Sequence, residues 1–421
     1  MKILFIVPGS GDSFYCGNCF RDNLQASALR KAGHDVIVMP IYLPLKFKSF
    51  RGDTPLFFPA TTYYTAQKFF GKRKMPKWLA RFTASDGMLN YASSLSGATS
   101  AKGTEKMTLS MITGDDPAFE DHINQLIDFL KNHERPDVIH LSSSLLAGIA
   151  KVLHQQLAIP IVCSLQDEEV WIDSLKGVYS DMAWQGIADS VGYIRQFITT
   201  SEFYKQKILK KIPEIRHIEV VYPGVDTEKY AVASDYPKAP VIGFFYRINR
   251  ANGLDILAEA FVKLKAQNRI PNLKLKIGGG YTHEDRRFLR KVKKIIAPYR
   301  DDVEFCDHYN PDEHAEFYRT VSVISVPLTF EESVGLYLCE AFAAGRPAVE
   351  PSSGSFPEIV GEAGIIYHPN DSDALSDALY KLLSNNELYM KSVEQAKTLS
   401  EIRYNEKSLA EKLIKIYEIN K

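Results

Sequence analysis

The sequence predicts an α/β fold of two doubly wound, Rossmann-like halves that face one another across a ligand cleft. Three observations predict it. Short continuous apolar runs recur at 2–7, 35–41, 136–141 and 160–165, and again at 241–246, 273–277 and 321–326. Strands buried on both faces of a parallel sheet read this way, with segments of helical period between them. A glycine-bearing turn follows the opening strand of each half, at 9–19 and 247–253, where open α/β sheets place ligands. Between the halves, residues 227–240 carry Pro237 and Pro240 and read as a linker.

The first half is expected over 1–225. A helix through Phe20, Leu24, Ala28 and Leu29 stops at Gly33, further helices cover 119–132 and 144–157, and 194–200 reads as the last strand. The second half is expected over 226–401. Its helix at 254–266 has apolar residues at 254, 257, 258, 261 and 264, and the strand at 273–277 runs into Gly278, Gly279 and Gly280. A charged helix at 283–297, a short strand at 303–305, a helix at 313–320 and strands at 348–349 and 364–367 follow, then a helix at 373–383. The final helix, 406–419, is amphipathic through Leu409, Leu413, Ile416 and Tyr417, so residues 402–421 are expected to pack back on the first half.

Composition bounds the function. The 421 residues are 45% hydrophobic and 24% charged, an ordinary globular balance. Basic and acidic residues number 51 each, which argues against a dedicated nucleic-acid binder. Five cysteines, an odd number, suit free thiols in a reducing compartment, and the Cys16–Cys19 pair lacks the second pair that a zinc site needs. No apolar run is long enough to span a bilayer, so a cytoplasmic chain is expected. Its one anomalous segment is an insertion at about 45–115. From Lys46 to Arg81 nine basic residues face one acid, Asp53, with many aromatics interleaved. That mixture suits peripheral docking of 46–82 on the inner face of an anionic membrane, or packed helices with a solvated basic face.

The chemistry concentrates after Phe330. Glu331, Glu332 and Ser333 read as the start of a helix, the acids and the serine capping its free amides, and the helix ends at Gly345 and Pro347. Glu340 lies inside it, with Leu336, Tyr337, Ala343 and Ala344 three and four residues away, so its own face is apolar. A carboxylate there either looks into a cleft or lies on a solvated face. Gly335 has no Cβ to keep a phosphate from the first amides. Gln166 and Asp167 end the 160–165 strand, where they face the cleft or stand as solvated loop polars.

Taken together, Tyr222-Pro-Gly-Val-Asp226, Phe245-Tyr-Arg247 to Gly253, Gly278 to Gly280, and Glu332 to Glu340 followed by Gly354-x-x-Pro-Glu358 resemble the family 4 retaining glycosyltransferases. The similarity covers nearly the whole chain outside 45–115. It implies a GT-B fold, a nucleotide-diphosphate sugar donor held by the second half, an acceptor hydroxyl on a glycan, lipid-linked or other molecule, and no cofactor or metal. By the same resemblance Glu340 would bond the ribose hydroxyls and Glu332 the transferred sugar. Amides at Val334, Gly335 and Leu336 would cradle phosphate, and Arg247 would stabilise the departing diphosphate. Gly17 and Asn18 fall at the family's Gly-Gly turn. Two positions depart from the pattern. Asn252 stands where the family has Lys, with Arg250 two residues away, and Gln166 stands where it has His. A neutral amide at each leaves a second reading, a nucleotide-sugar or glycan binder of the same fold with weakened turnover.

Overall fold

A computed structural model describes residues 1–8, 17–41, 105–115, 117–132, 135–230, 239–306, 310 and 313–420. The basic-aromatic segment 46–82, the Gly9–Gly11 turn, Cys16, and most of the 45–115 insertion lie outside the described residues.

Two six-stranded parallel sheets organise the chain. The first has the order β2-β1-β3-β4-β5-β6, with β1 Lys2–Val7, β2 Asp35–Pro40, β3 Val138–Leu141, β4 Ile161–Ser164, β5 Gln196–Thr199 and β6 Ile218–Val220. Register follows the apolar runs: Ile3 pairs with Val36 on one side and Val138 on the other. The second sheet has the order β12-β11-β10-β7-β8-β9, with β7 Val241–Phe245, β8 Lys274–Gly278, β9 Val303–Phe305, β10 Val323–Ile324, β11 Ala348–Pro351 and β12 Gly364–Tyr367. Both orders reverse direction beside the first strand of their half, and that switch point opens a crevice at the carboxyl edge. This is a pair of Rossmann-like units.

One expectation needs correction. The first sheet does not end at residues 194–200, because β6 adds a sixth strand through Phe197–Ile218, Ile198–Glu219 and Thr199–Val220. This edge strand is three residues long and half-exposed, so Ile-Glu-Val gives no continuous apolar run to read. The helices Tyr179–Ser190, Glu202–Lys211 and Asn386–Ile402 likewise went unread.

The last helix, Glu406–Asn420, sends Leu409, Leu413, Ile416 and Tyr417 into the core of the first sheet beside Phe5, Val38 and Val138. Burying four such side chains contributes on the order of 6–12 kcal/mol before chain entropy is subtracted. A polar contact fixes the register: His140 on β3 bonds the Tyr417 hydroxyl through Nδ1 at 2.6 Å and Ser164 through Nε2 at 2.8 Å. Burial holds this imidazole down at about 3, so it stays neutral and satisfied.

Candidate active site

Parallel strands deliver their chemistry at their carboxyl ends, and the facing ends of the two sheets meet here. From the first half come Gln166 and Asp167 after β4. From the second come Glu332 and Ser333, before the helix Leu336–Ala343. Ser333 was expected to cap that helix, but Gly335 is the N-cap at φ 68° and Ser333 turns the other way. Its hydroxyl donates to Asp167 Oδ2 at 2.7 Å, and its carbonyl accepts from the Ser201 hydroxyl at 2.5 Å. The residue that looked like a cap is a tie between the halves.

Glu332 is buried. Its Oε2 accepts from the Tyr246 hydroxyl at 3.1 Å and its Oε1 from the Gly335 amide at 3.4 Å. The Val334 amide also turns toward this carboxylate, so two of the amides expected to cradle phosphate face Glu332. Burial pushes the Glu332 carboxyl up against these bonds. Burial also pushes Asp167 up, and the charges of Glu332 and Glu169 push it further. Gly354 sits under the same loop at φ 58°, where a Cβ would fall 2.6 Å from the backbone N and O of Glu332. Only glycine fits there.

Glu340 lies deep in the second half, 2% exposed. Its Oε1 accepts from Tyr230 at 2.8 Å and contacts His314 Nδ1 at 3.0 Å, and its Oε2 accepts from Tyr318 at 2.9 Å. Burial would raise this carboxyl, yet His314 and the hydrogen bonds outweigh burial and hold it below the ordinary value. The apolar face seen in sequence is correct for its own helix. The polar partners arrive from elsewhere, and no spacing rule exposes them.

Arg247 follows β7 and is buried. Its Nε and Nη2 meet Asp285 Oδ2 at 3.2 and 3.1 Å, and Nη2 donates to Thr282 at 3.1 Å. Asn252 braces the turn from within, its side-chain amide donating to the Arg247 carbonyl at 2.6 Å. Arg250 is exposed. On the opposite side Gly17 opens the helix Gly17–Lys31, and Asn18 donates to the Gln166 carbonyl at 3.4 Å. Gln166 is not a solvated loop residue. It is buried, and its side-chain amide donates to Asp22 Oδ1 at 2.9 Å and to the Ser142 carbonyl.

Several functional neighbours escaped the sequence reading: Arg21 and Asp22 on the first helix, Tyr246 against Glu332, and the His314, Tyr230 and Tyr318 set. Arg21 and Asp22 lie one turn beyond Gly17-Asn18, and that adjacency was the available signal. A cavity of about 980 Å³ lined by His154, Tyr193, Arg195 and His217 lies at the opposite, amino-terminal edge of the first sheet and holds none of these residues.

Comparison with known proteins agrees with this layout. Residues 239–385 match the domain family "Glycosyl transferases group 1", and 115–229 match "Glycosyltransferase Family 4". A D-inositol 3-phosphate glycosyltransferase of Corynebacterium jeikeium is 28% identical over 217 residues, 48% of this chain and 51% of that protein. The match thus spans about half the length of such curated relatives. In fold, sucrose-phosphate synthase from Thermosynechococcus elongatus aligns with TM-score 0.70 over 100% of this chain and 99% of its own, at 16% identity. Anabaena Alr3699/HepE in complex with UDP aligns with TM-score 0.69 over 100% of both chains, at 14% identity. Two matched domains, one on each sheet, make this chain a member of the group 1 and family 4 glycosyltransferases, with the GT-B fold.

Proposed function

We propose that the protein is a retaining glycosyltransferase that moves a sugar, a hexose in the simplest case, from a nucleotide-diphosphate sugar to an acceptor hydroxyl. The observation that carries this reading is the pairing of Asp167 and Glu332. The half-buried Asp167 and the buried Glu332, one from each half, meet at the cleft, where Ser333 beside Glu332 bonds Asp167. The names of similar proteins support it: the curated relative acts on D-inositol 3-phosphate, and fold neighbours were crystallised with UDP and UDP-glucose.

In this reading the second half holds the donor. Glu340 reads the ribose, the Leu336 end of the site meets the phosphates, and Glu332 orients the sugar. Gly17 and Asn18 close on the diphosphate from the first half, and Gln166 and Asp167 meet the acceptor. As the bond from C1 to the phosphate oxygen breaks, the acceptor oxygen bonds C1 on the same face. The acceptor proton passes to the departing diphosphate. No metal is required, because the guanidinium of Arg247, oriented by Asp285, stabilises the leaving charge. Arg250 and Asn252 shape the turn that carries it.

The test is donor consumption with a panel of UDP-, GDP- and ADP-sugars. Arg247→Ala should lower kcat by about 100- to 1,000-fold. The anomeric configuration of the product, read by NMR, tests retention. The absence of both donor consumption and any thermal shift with every nucleotide would overturn the reading. Asn252 favours one competitor, a binder with weakened turnover, because its neutral amide is committed to the Arg247 carbonyl. Calorimetric donor binding without hydrolysis or transfer would select that competitor.

A further inference from the structure

Buried polar atoms usually find partners, so those that do not mark places where something else belongs. Among the described residues of the first half, such atoms gather at one edge of the sheet. Arg21 leaves both Nε and Nη2 unpartnered, and Gln25 Oε1 is unpartnered one turn further along the same helix face. Ser144 Oγ after β3, Asp167 Oδ1 after β4 and Thr200 Oγ1 after β5 share that condition. Ser144, Asp167 and Thr200 lie at the carboxyl ends of their strands, and Arg21 and Gln25 lie on the helix that follows β1.

Arg21 is the telling member. Its side chain is 2% exposed, and Nε and Nη2 form one edge of the guanidinium, the fork that grips an oxyanion with two parallel hydrogen bonds. Charge is nearby: burial lowers its proton affinity while Asp22, Asp167 and Glu168 oppose that. Yet the neighbouring acids spend their oxygens elsewhere. Asp22 Oδ1 takes the Gln166 amide, and Asp167 Oδ2 takes Ser333. Glu168 takes Ser143, the Ser144 and Gln166 amides, and Tyr204. The acids hold Arg21 in place without filling its fork. Asp167 itself is at φ 55°, a left-handed conformation that aspartate adopts more readily than most residues.

We propose that Arg21 anchors an oxyanion subsite on the first half's side of the cleft. Its Nε–Nη2 edge receives a phosphate or carboxylate of a bound substrate, and Asp167 Oδ1 receives a hydroxyl beside it. Entry requires the Ser333–Asp167 contact to part, since that contact closes the cleft here. The oxyanion comes from one of two sources, the donor's diphosphate or an anionic group on the acceptor. The inference rests on the glycosyltransferase reading only for naming those sources.

The experiment is calorimetry on the full chain, comparing the wild type with Arg21→Lys and Arg21→Gln. UDP, GDP and ADP are titrated beside their uncharged nucleosides, and inorganic phosphate is titrated into the free chain and into chain saturated with the tightest nucleotide. If the donor fills the fork, nucleoside diphosphate affinity falls about tenfold or more in both variants while nucleoside affinity holds. If the acceptor fills it, nucleotide affinity holds and phosphate binding to the saturated wild type is lost in the variants. Losing charge-dependent binding alone separates an anion contact from a general loss of structure. Lysine keeps the charge, so Arg21→Lys remains informative if Arg21→Gln fails to fold. Folded variants that bind every titrant as the wild type does overturn the proposal, as does a wild type that binds neither diphosphates nor phosphate. A wild type that binds phosphate at Arg21 but no nucleoside diphosphate overturns the glycosyltransferase reading instead.

Discussion

The hydroxyl of Ser333 donates to Asp167 Oδ2 at 2.7 Å, tying the segment before one helix to the end of a strand in the other half of the molecule. Beside this tie, Lys207 bridges Glu169 at 2.9 Å and Glu331 at 3.0 Å. Ser333→Ala removes the hydrogen bond that Asp167 accepts from across the cleft and leaves a half-buried carboxyl unpartnered on both oxygens. The expected cost is about 1–3 kcal/mol, read from urea unfolding of the variant. An unchanged midpoint would mean the contact is replaced at no cost.

Glu358 supplies the second tie. Its carboxylate accepts from the Glu202 and Phe203 amides, each at 2.9 Å, and from Tyr222 at 2.6 Å. It therefore caps, from the opposite half, the helix Glu202–Lys211, where an anion is stabilised by the helix dipole. Glu358→Ala should cost about 1–2 kcal/mol and widen the small-angle scattering envelope as the halves part. Scattering identical to the wild type would refute a role in closure.

The Glu340 carboxylate gathers Tyr230, Tyr318 and His314. Glu340→Ala should destabilise by roughly 3–5 kcal/mol, because His314, Tyr230 and Tyr318 each lose a bond to its carboxylate in a buried site. Glu340→Gln keeps the shape and should cost less. Equal melting temperatures for the two variants would show that the carboxylate's charge and bonds are not what matters there.

Stability against pH should carry two opposed slopes. Burial pushes Asp22 up to about 7, so the folded chain holds a proton there that the unfolded chain releases above about 4. Its contribution therefore falls as pH rises from about 4 to about 7. His140, held down at about 3, does the reverse: the unfolded chain takes up a proton below about 6.5, so acid weakens the fold. Asp22→Asn should remove the first slope and His140→Phe the second, in thermal melts from about pH 4 to 8. Identical pH profiles in a variant and the wild type would sink the corresponding assignment.

Much of the architecture was legible without coordinates, since burial on both faces of a parallel strand leaves an apolar run such as 2–7, and period 3.6 leaves its mark on helices such as 254–266. Tyr417 could be read as apolar packing, but not as the partner of His140. β6 was missed because a half-exposed edge strand has no period to display.

By itself the sequence determined the two α/β halves and drew attention to Glu332, Glu340, Arg247 and Gln166, because strand ends, glycines and helix starts are local signals. Only the tertiary structure decided what those side chains face. Ser333 turned from a cap into a bridge, Glu340 gathered a histidine and two tyrosines from distant segments, and Arg21 emerged with its fork unfilled. The physical reason is range. Propensity and period act over a few residues, whereas hydrogen bonds and charges in a buried cleft join groups more than a hundred residues apart, such as Asp167 and Ser333 at 166.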